Sequence, residues 1–179
     1  MAYSLAFLLC FNPAALPQTS TIHEKEVRLV VKILGMVKNF PQGAEGDYVV
    51  GIVVDPDSAL SRQDGAGMLS QVQAGSMDLK KLKASAELVP ISELADRAQE
   101  FEIIMLTKGI DAKYAETIRG TLIPKKNLII SNSTALVKES ASVIGVDVGK
   151  TSVIVLNRKL IKTTKLRFDN SFLMIAKSI

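Results

Sequence analysis

Three short runs constrain this chain more than anything else in it: Asp47–Val54, Phe101–Leu106 and Leu128–Ile130. Each is dense in Val, Ile and Leu, and helix-period sequence separates them. Strands that are apolar on both faces must be covered on both faces, which is the condition of a parallel sheet between helical layers. Helices are predicted over 24–40, 59–73, 92–99, 111–122 and 133–140, and a more exposed strand over 83–89. Val143–Val148 and Ser152–Leu156 are separated by only a short stretch around Gly149 and Lys150, so they form a hairpin. The expected fold is α/β: a single domain with a mostly parallel central sheet flanked by helices, a late antiparallel hairpin and a C-terminal helix.

With 179 residues the chain suits one domain. Apolar residues make up 47% and charged residues 22%, as in an ordinary globular protein. Trp is absent, so aliphatic side chains must fill the core. The net charge of +4 is mild and the signs alternate, which argues against a nucleic-acid partner.

Residues 1–22 carry no charge, and Ala2–Phe11 is an apolar run too short to span a bilayer. Its length, with Ala14 and Ala15 following, predicts a secretory leader over 1–22 and a mature domain over 23–179, hence a periplasmic location. No Lys or Arg precedes the run, and Pro13 interrupts the cleavage region. Cys10 is the sole cysteine and His23 the sole histidine. Once the leader is removed, neither a disulfide nor a thiolate metal cluster is open to the chain. A lone His likewise predicts no metal site, no His-based triad and no cofactor.

Several local patterns invite chemistry and fall short of it. Gly145-Val-Asp-Val-Gly149-Lys150-Thr151 has three residues between its glycines, where a phosphate loop needs four, and Thr151 opens a strand rather than a helix. Asp55 and Asp57 end the first strand and read as turn and cap carboxylates. Glu102, beside Phe101, is the nearest case of a carboxylate in an apolar setting. Gly65-Ala-Gly67 lies inside a helical pattern and lacks the third glycine of a nucleotide fingerprint, so it reads as a loosened helix. Lys159, Lys162, Lys165 and Arg167 form a basic cluster with no acid between them. That cluster is either a solvated helix face or a docking patch for an acidic partner or anionic surface.

The most specific pattern is the last one. After the strand Ser152–Leu156 come Asn157, a short helix, the pair Leu166 and Phe168, then Ser171 and a run Phe172-Leu-Met-Ile-Ala176. This resembles the C-terminal signature of the YfiR-like family of small bacterial periplasmic regulatory proteins. There a strand ends in Asn, followed by a small-residue helix, a Leu-x-Ile pair, one or two Ser and a Leu-Leu-x-x-Ala helix. On this resemblance Asn157, Leu166, Phe168, Ser171, Leu173 and Ala176 are family-motif structural residues, and Phe172, Leu173 and Ile175 are expected to pack on the sheet.

The resemblance extends more loosely over residues 24–178. The first helix closes on Phe40-Pro41, near the family's aromatic-Pro pair, and Ser131-Asn132-Ser133 stands where the family has Ser-Asp-Ser. Ser140-Ala141 replaces a usual Gly-Gly, and Phe101 a frequent Cys, so redox control is not carried over. The resemblance implies a non-enzymatic protein that restrains a membrane-bound signalling partner through its periplasmic domain. A diguanylate cyclase is the first expectation, with cyclic-di-GMP and biofilm output; a sensor kinase is the other, and a homodimer is compatible with either. The rival expectations are a periplasmic small-ligand sensor, with its pocket near Asp55, Thr107 and Ser131, and an enzyme, which would need a cleft with clustered carboxylates.

Overall fold

The structure is a computed structural model, and it describes residues 17–40, 47–79, 82–123, 127–149 and 151–179. Helix α1 (Pro17–Leu34) leads into strand β1 (Tyr48–Val54), helix α2 (Ala59–Gln73) and strand β2 (Ala84–Pro90). A short helix α3 (Leu94–Arg97), flanked on each side by a 3-10 turn, precedes β3 (Ile103–Leu106). Then come α4 (Ala115–Leu122), β4 (Leu128–Ser131), α5 (Thr134–Lys138) and the hairpin β5 (Ile144–Val148) and β6 (Ser152–Leu156). The chain closes with α6 (Arg158–Thr164), α7 (Asn170–Ile175) and a two-residue strand β7 (Lys177–Ser178).

The strands form one seven-stranded sheet in the order β2-β1-β3-β4-β5-β6-β7. β1 to β5 are parallel, β5 and β6 pair antiparallel, and β6 and β7 pair parallel. The α/β class and the late hairpin are therefore as the sequence predicts. β3 and β4 are buried at every position, which is why they read as continuous apolar runs with no alternation. Strand order reverses between β1 and β3. Right-handed crossovers then place α2 on one face and α3 and α4 on the other, and α1 packs beside α2.

Helix α1 presents Val27, Val30, Ile33 and Leu34 to the core. It ends at Leu34 rather than Phe40, because the backbone that follows pairs with the far end of the chain. Lys38 N–H donates to Arg167 C=O at 2.8 Å, and Asp169 N–H donates to Met36 C=O at 2.9 Å. Asn39 donates to Lys165 C=O at 3.0 Å and accepts from Arg167 N–H at 2.7 Å. Leu166 and Phe168 are buried in this clamp, and Phe168 stacks on Phe172 at 4.9 Å between ring centres. α1 also begins at Pro17, ahead of the boundary expected at residue 23, while residues 1–16, Cys10 among them, lie outside the described residues.

Candidate functional site

Asn157 shows how the C-terminal signature works as structure. It caps α6 by accepting from Leu160 N–H at 3.0 Å. Its amide also donates to Val137 C=O at 3.0 Å and to Ser140 Oγ at 3.3 Å, so one buried side chain ties the end of β6 to the α5 turn. Phe172 and Ala176 are buried and Ser171 is exposed. Leu173 and Ile175 do not pack on the sheet as expected. They are 37% and 60% exposed, and Met174 between them is 86% exposed. The reason is length: α7 is only six residues and turns one side inward, and Phe172 takes that side. Lys159, Lys162, Lys165 and Arg167 are all exposed, and Lys165 ends α6 in the left-handed region with φ 58°.

The other candidates resolve into structural roles. Asp55 is buried, its carboxylate accepts from Asp57 N–H at 3.0 Å, and its own N–H donates to Ser61 Oγ at 2.8 Å. Ser58, not an aspartate, caps α2 by accepting from Ser61 N–H. Glu102 accepts from Val49 N–H at 2.8 Å at the start of β1. Thr107 donates to Val53 C=O at 2.8 Å, and Ser131 accepts from Ser133 N–H at 2.9 Å. Asp55, Thr107 and Ser131, near the carboxyl ends of their strands, thus all make local hydrogen bonds, and Asp55 also lines a cavity of about 420 Å³ with Ile91, Ser92 and Tyr114. Gly145 lies within β5 and packs against Val137 of α5, as a hairpin glycine and not a phosphate loop.

One residue beyond Thr107 and one beyond Ser131, a polar cluster is buried that the strand pattern gives no hint of. Lys108 follows β3, Asn132 follows β4, Asp64 comes from α2, and His23 and Glu26 come from α1. His23 Nε2 lies 3.1 Å from Asp64 Oδ1. The second oxygen, Asp64 Oδ2, accepts from Lys108 N–H at 2.8 Å. The Lys108 ammonium pairs with Glu26 Oε1 and lies 4.0 Å from Asp64 Oδ1. Asn132 Nδ2 is 3.3 Å from both Glu26 Oε2 and Asp64 Oδ2. Glu26 is fully buried. Burial pushes its carboxyl above the ordinary value, and the Lys108 ammonium opposes that shift.

Two glycines let this cluster form. A Cβ on Gly67 would lie 2.3 Å from His23 Nδ1, and one on Gly65 would lie 2.5 Å from Val54 Cγ1. The glycines of α2 are therefore close-approach positions, one against α1 and one against the sheet. Over the cluster opens a cavity of about 150 Å³ lined by Ile22, His23, Leu60, Gln63, Asp64 and Lys108. A partial signal for the site is present in the sequence. His23 and Glu26 are spaced i, i+3, which puts both on one helix face. Nothing local points to Asp64, Lys108 or Asn132 as their partners.

No protein-family model and no curated protein matches this chain. Among solved structures it is similar to a conserved domain protein from Vibrio cholerae, with 17% identity and a TM-score of 0.59, covering 87% of this chain and 59% of that one. It is also similar to an ABC domain from Streptococcus pneumoniae in complex with L-Trp, with 15% identity and a TM-score of 0.60, covering 86% and 60%. A third is the ligand-free, open form of a substrate-binding protein with adhesive properties from Clostridium difficile, with 9% identity and a TM-score of 0.58, covering 87% and 59%. The likeness is one of fold. This chain spans about three fifths of the length of each of these structures. Among the described residues, no helix is long and apolar enough to cross a membrane.

Proposed function

We propose that this chain is a regulatory binding domain of the YfiR-like kind, acting in the periplasm. It docks on the periplasmic domain of an inner-membrane signalling protein, with a diguanylate cyclase the first candidate. The observation that carries this is the outward face of α7. Leu173, Met174 and Ile175 are consecutive and exposed, and Ile179 follows them at 45% exposure. Contiguous apolar surface of this kind marks a place where another protein sits. Lys159 and Lys162 on α6 and Lys177 on β7 are exposed as well, and cations on the same C-terminal segment suit an acidic partner.

The small-ligand and enzyme readings rest on what the carboxyl ends of the strands offer. In open α/β sheets, ligands enter at the carboxyl ends of strands near the point where strand order reverses. Here His23 and Glu26 of α1 reach into one side of that region and leave a cavity of only about 150 Å³ over them. A wider opening of about 420 Å³ lies on the side of Asp55, Ile91 and Tyr114, within the range of small-molecule sites, and keeps the small-ligand sensor as the second reading. The clustered carboxylates Glu26 and Asp64 are paired with Lys108 and His23, which leaves neither as a free acid or base for an enzyme's chemistry. Control must then come from preferring one conformation of the partner. The test is capture from membranes by the wild-type protein and by Met174→Asp, which leaves the core untouched. Retention of a membrane signalling protein by wild type alone supports the proposal; equal capture by both overturns it.

A further inference from the structure

The buried cluster contains one polar atom that its own hydrogen bonds leave out. Asn132 is 4% exposed, its Nδ2 is shared between two carboxylates, and its Oδ1 has no hydrogen-bond partner. The two ends of a carboxamide exchange by rotation about one bond, and which end points where follows from what it meets. Turned over, Oδ1 would face Glu26 and Asp64, an arrangement tolerable only with a cation between the three oxygens. His23, Glu26 and Asp64 each offer one ligand atom, and these atoms lie within 4.8 Å of one another. The 3.1 Å between His23 Nε2 and Asp64 Oδ1 suits adjacent ligands of one ion. Metal bonds of about 2.0–2.1 Å in a tetrahedron set ligands roughly 3.3 Å apart.

We propose that His23, Glu26 and Asp64 form a site for a single divalent transition-metal ion of the zinc class, with the Asn132 amide oxygen as the fourth ligand. An imidazole nitrogen among carboxylate oxygens favours such an ion over magnesium or calcium, which take oxygen sets. Lys108 is the resident counter-cation. Its side chain is 28% exposed, so the ammonium can move to solvent when an ion takes its place between the carboxylates. The bound ion would join α1 to α2 and to the end of β4. The inference is independent of the regulatory reading, and it replaces the expectation, drawn from one His and no Cys, that no metal is held. Carboxylates from α1 and α2 supply what cysteines would have supplied.

The experiment uses the tag-free full chain, stripped with chelator, and adds Zn²⁺ by calorimetry and Co²⁺ by visible spectroscopy. One Zn²⁺ per chain is expected, with a rise in melting temperature on loading and a cobalt spectrum of tetrahedral type. His23→Gln and Asp64→Asn should each weaken binding by at least about 10-fold, as loss of a supporting group already does. Lys108→Met should tighten binding, because the competing ammonium is gone. No saturable binding by either wild type or Lys108→Met overturns the proposal. So does binding unchanged by both His23→Gln and Asp64→Asn, which marks an adventitious ion. Should those two variants fail to fold, Lys108→Met decides: affinity no tighter than wild type overturns the proposal.

Discussion

The imidazole of His23 can sit close against α2 because residue 67 is glycine; a Cβ there would sit 2.3 Å from Nδ1. Helix propensity alone would favour Ala at this position by about 1 kcal/mol. Packing reverses that preference. Gly67→Ala is expected to destabilise the domain by roughly 1–3 kcal/mol, the cost of overpacking a filled site. In a His23→Ala background the same change should cost far less, or stabilise. Urea unfolding of the four proteins of that cycle gives the coupling, and strictly additive effects would show that the ring is not seated on Gly67.

Phe172 and Leu173 are neighbours with opposite fates. Phe172→Ala should cost about 3–5 kcal/mol, as a buried aromatic does. Leu173→Asp should stay within roughly 0.5–1 kcal/mol, since the side chain already meets water. Thermal melts separate the two, and a large loss on Leu173→Asp would place α7 the other way round.

The strands and the hairpin were legible because their signals are local, continuous apolar runs and a short turn. Asn157 was legible as the end of a strand, while its cap on Leu160 N–H and its tie to Val137 C=O came only with the structure. The buried cluster was not. Its members lie at positions 23, 26, 64, 108 and 132, and only the pair on α1 has a spacing that speaks of one face. The glycines of α2 read as a weak helix, because a sequence does not say what a missing Cβ makes room for. The two-residue β7 escaped notice for a related reason. So short a strand is defined by its partner β6, and Lys177 and Ser178 carry no pattern of their own.

Tyr48 donates its hydroxyl to Met77 C=O inside the core. Burial, with a smaller contribution from Asp78, raises its pKa well above the ordinary value. The folded state therefore holds the phenol proton more tightly than the unfolded chain, where the group titrates near about 10. The sign follows by linkage: this stabilisation is fully present below about pH 10 and is lost as pH rises above it. The difference absorbance between wild type and Tyr48→Phe should show no phenolate at pH 10. A phenolate signal from Tyr48 at that pH, with the fold intact, would contradict the burial. Tyr48→Phe itself should cost about 1 kcal/mol for the lost hydrogen bond.

Asn157 both accepts and donates, so two substitutions should separate its roles. Asn157→Ala removes the cap on Leu160 N–H and leaves Val137 C=O without its donor, a combined loss of about 2–3 kcal/mol. Asn157→Asp keeps the acceptor for α6 but has no N–H for Val137 C=O and places a charge in a buried site. It should therefore recover little of the loss. Full recovery by Asp would show that only the helix cap matters and that the tie to the α5 turn contributes nothing.

The regulatory proposal makes its sharpest demand on the rim of α6. Lys159, Lys162 and Lys165 are exposed, so reversing all three to Glu should leave the melting temperature near wild type. If they steer a partner, the triple variant should associate more slowly while dissociation changes little, since rim charges act on encounter. The difference from wild type should shrink as salt shortens the Debye length from about 10 Å at 0.1 M to about 3 Å at 1 M. In cells, deleting the gene should raise the output of the restrained enzyme, measured first as cyclic-di-GMP. That rise should vanish when the partner is deleted as well. Unchanged second-messenger and kinase output in the deletion strain, in both planktonic and surface growth, would defeat restraint of a signalling enzyme as the role of this fold.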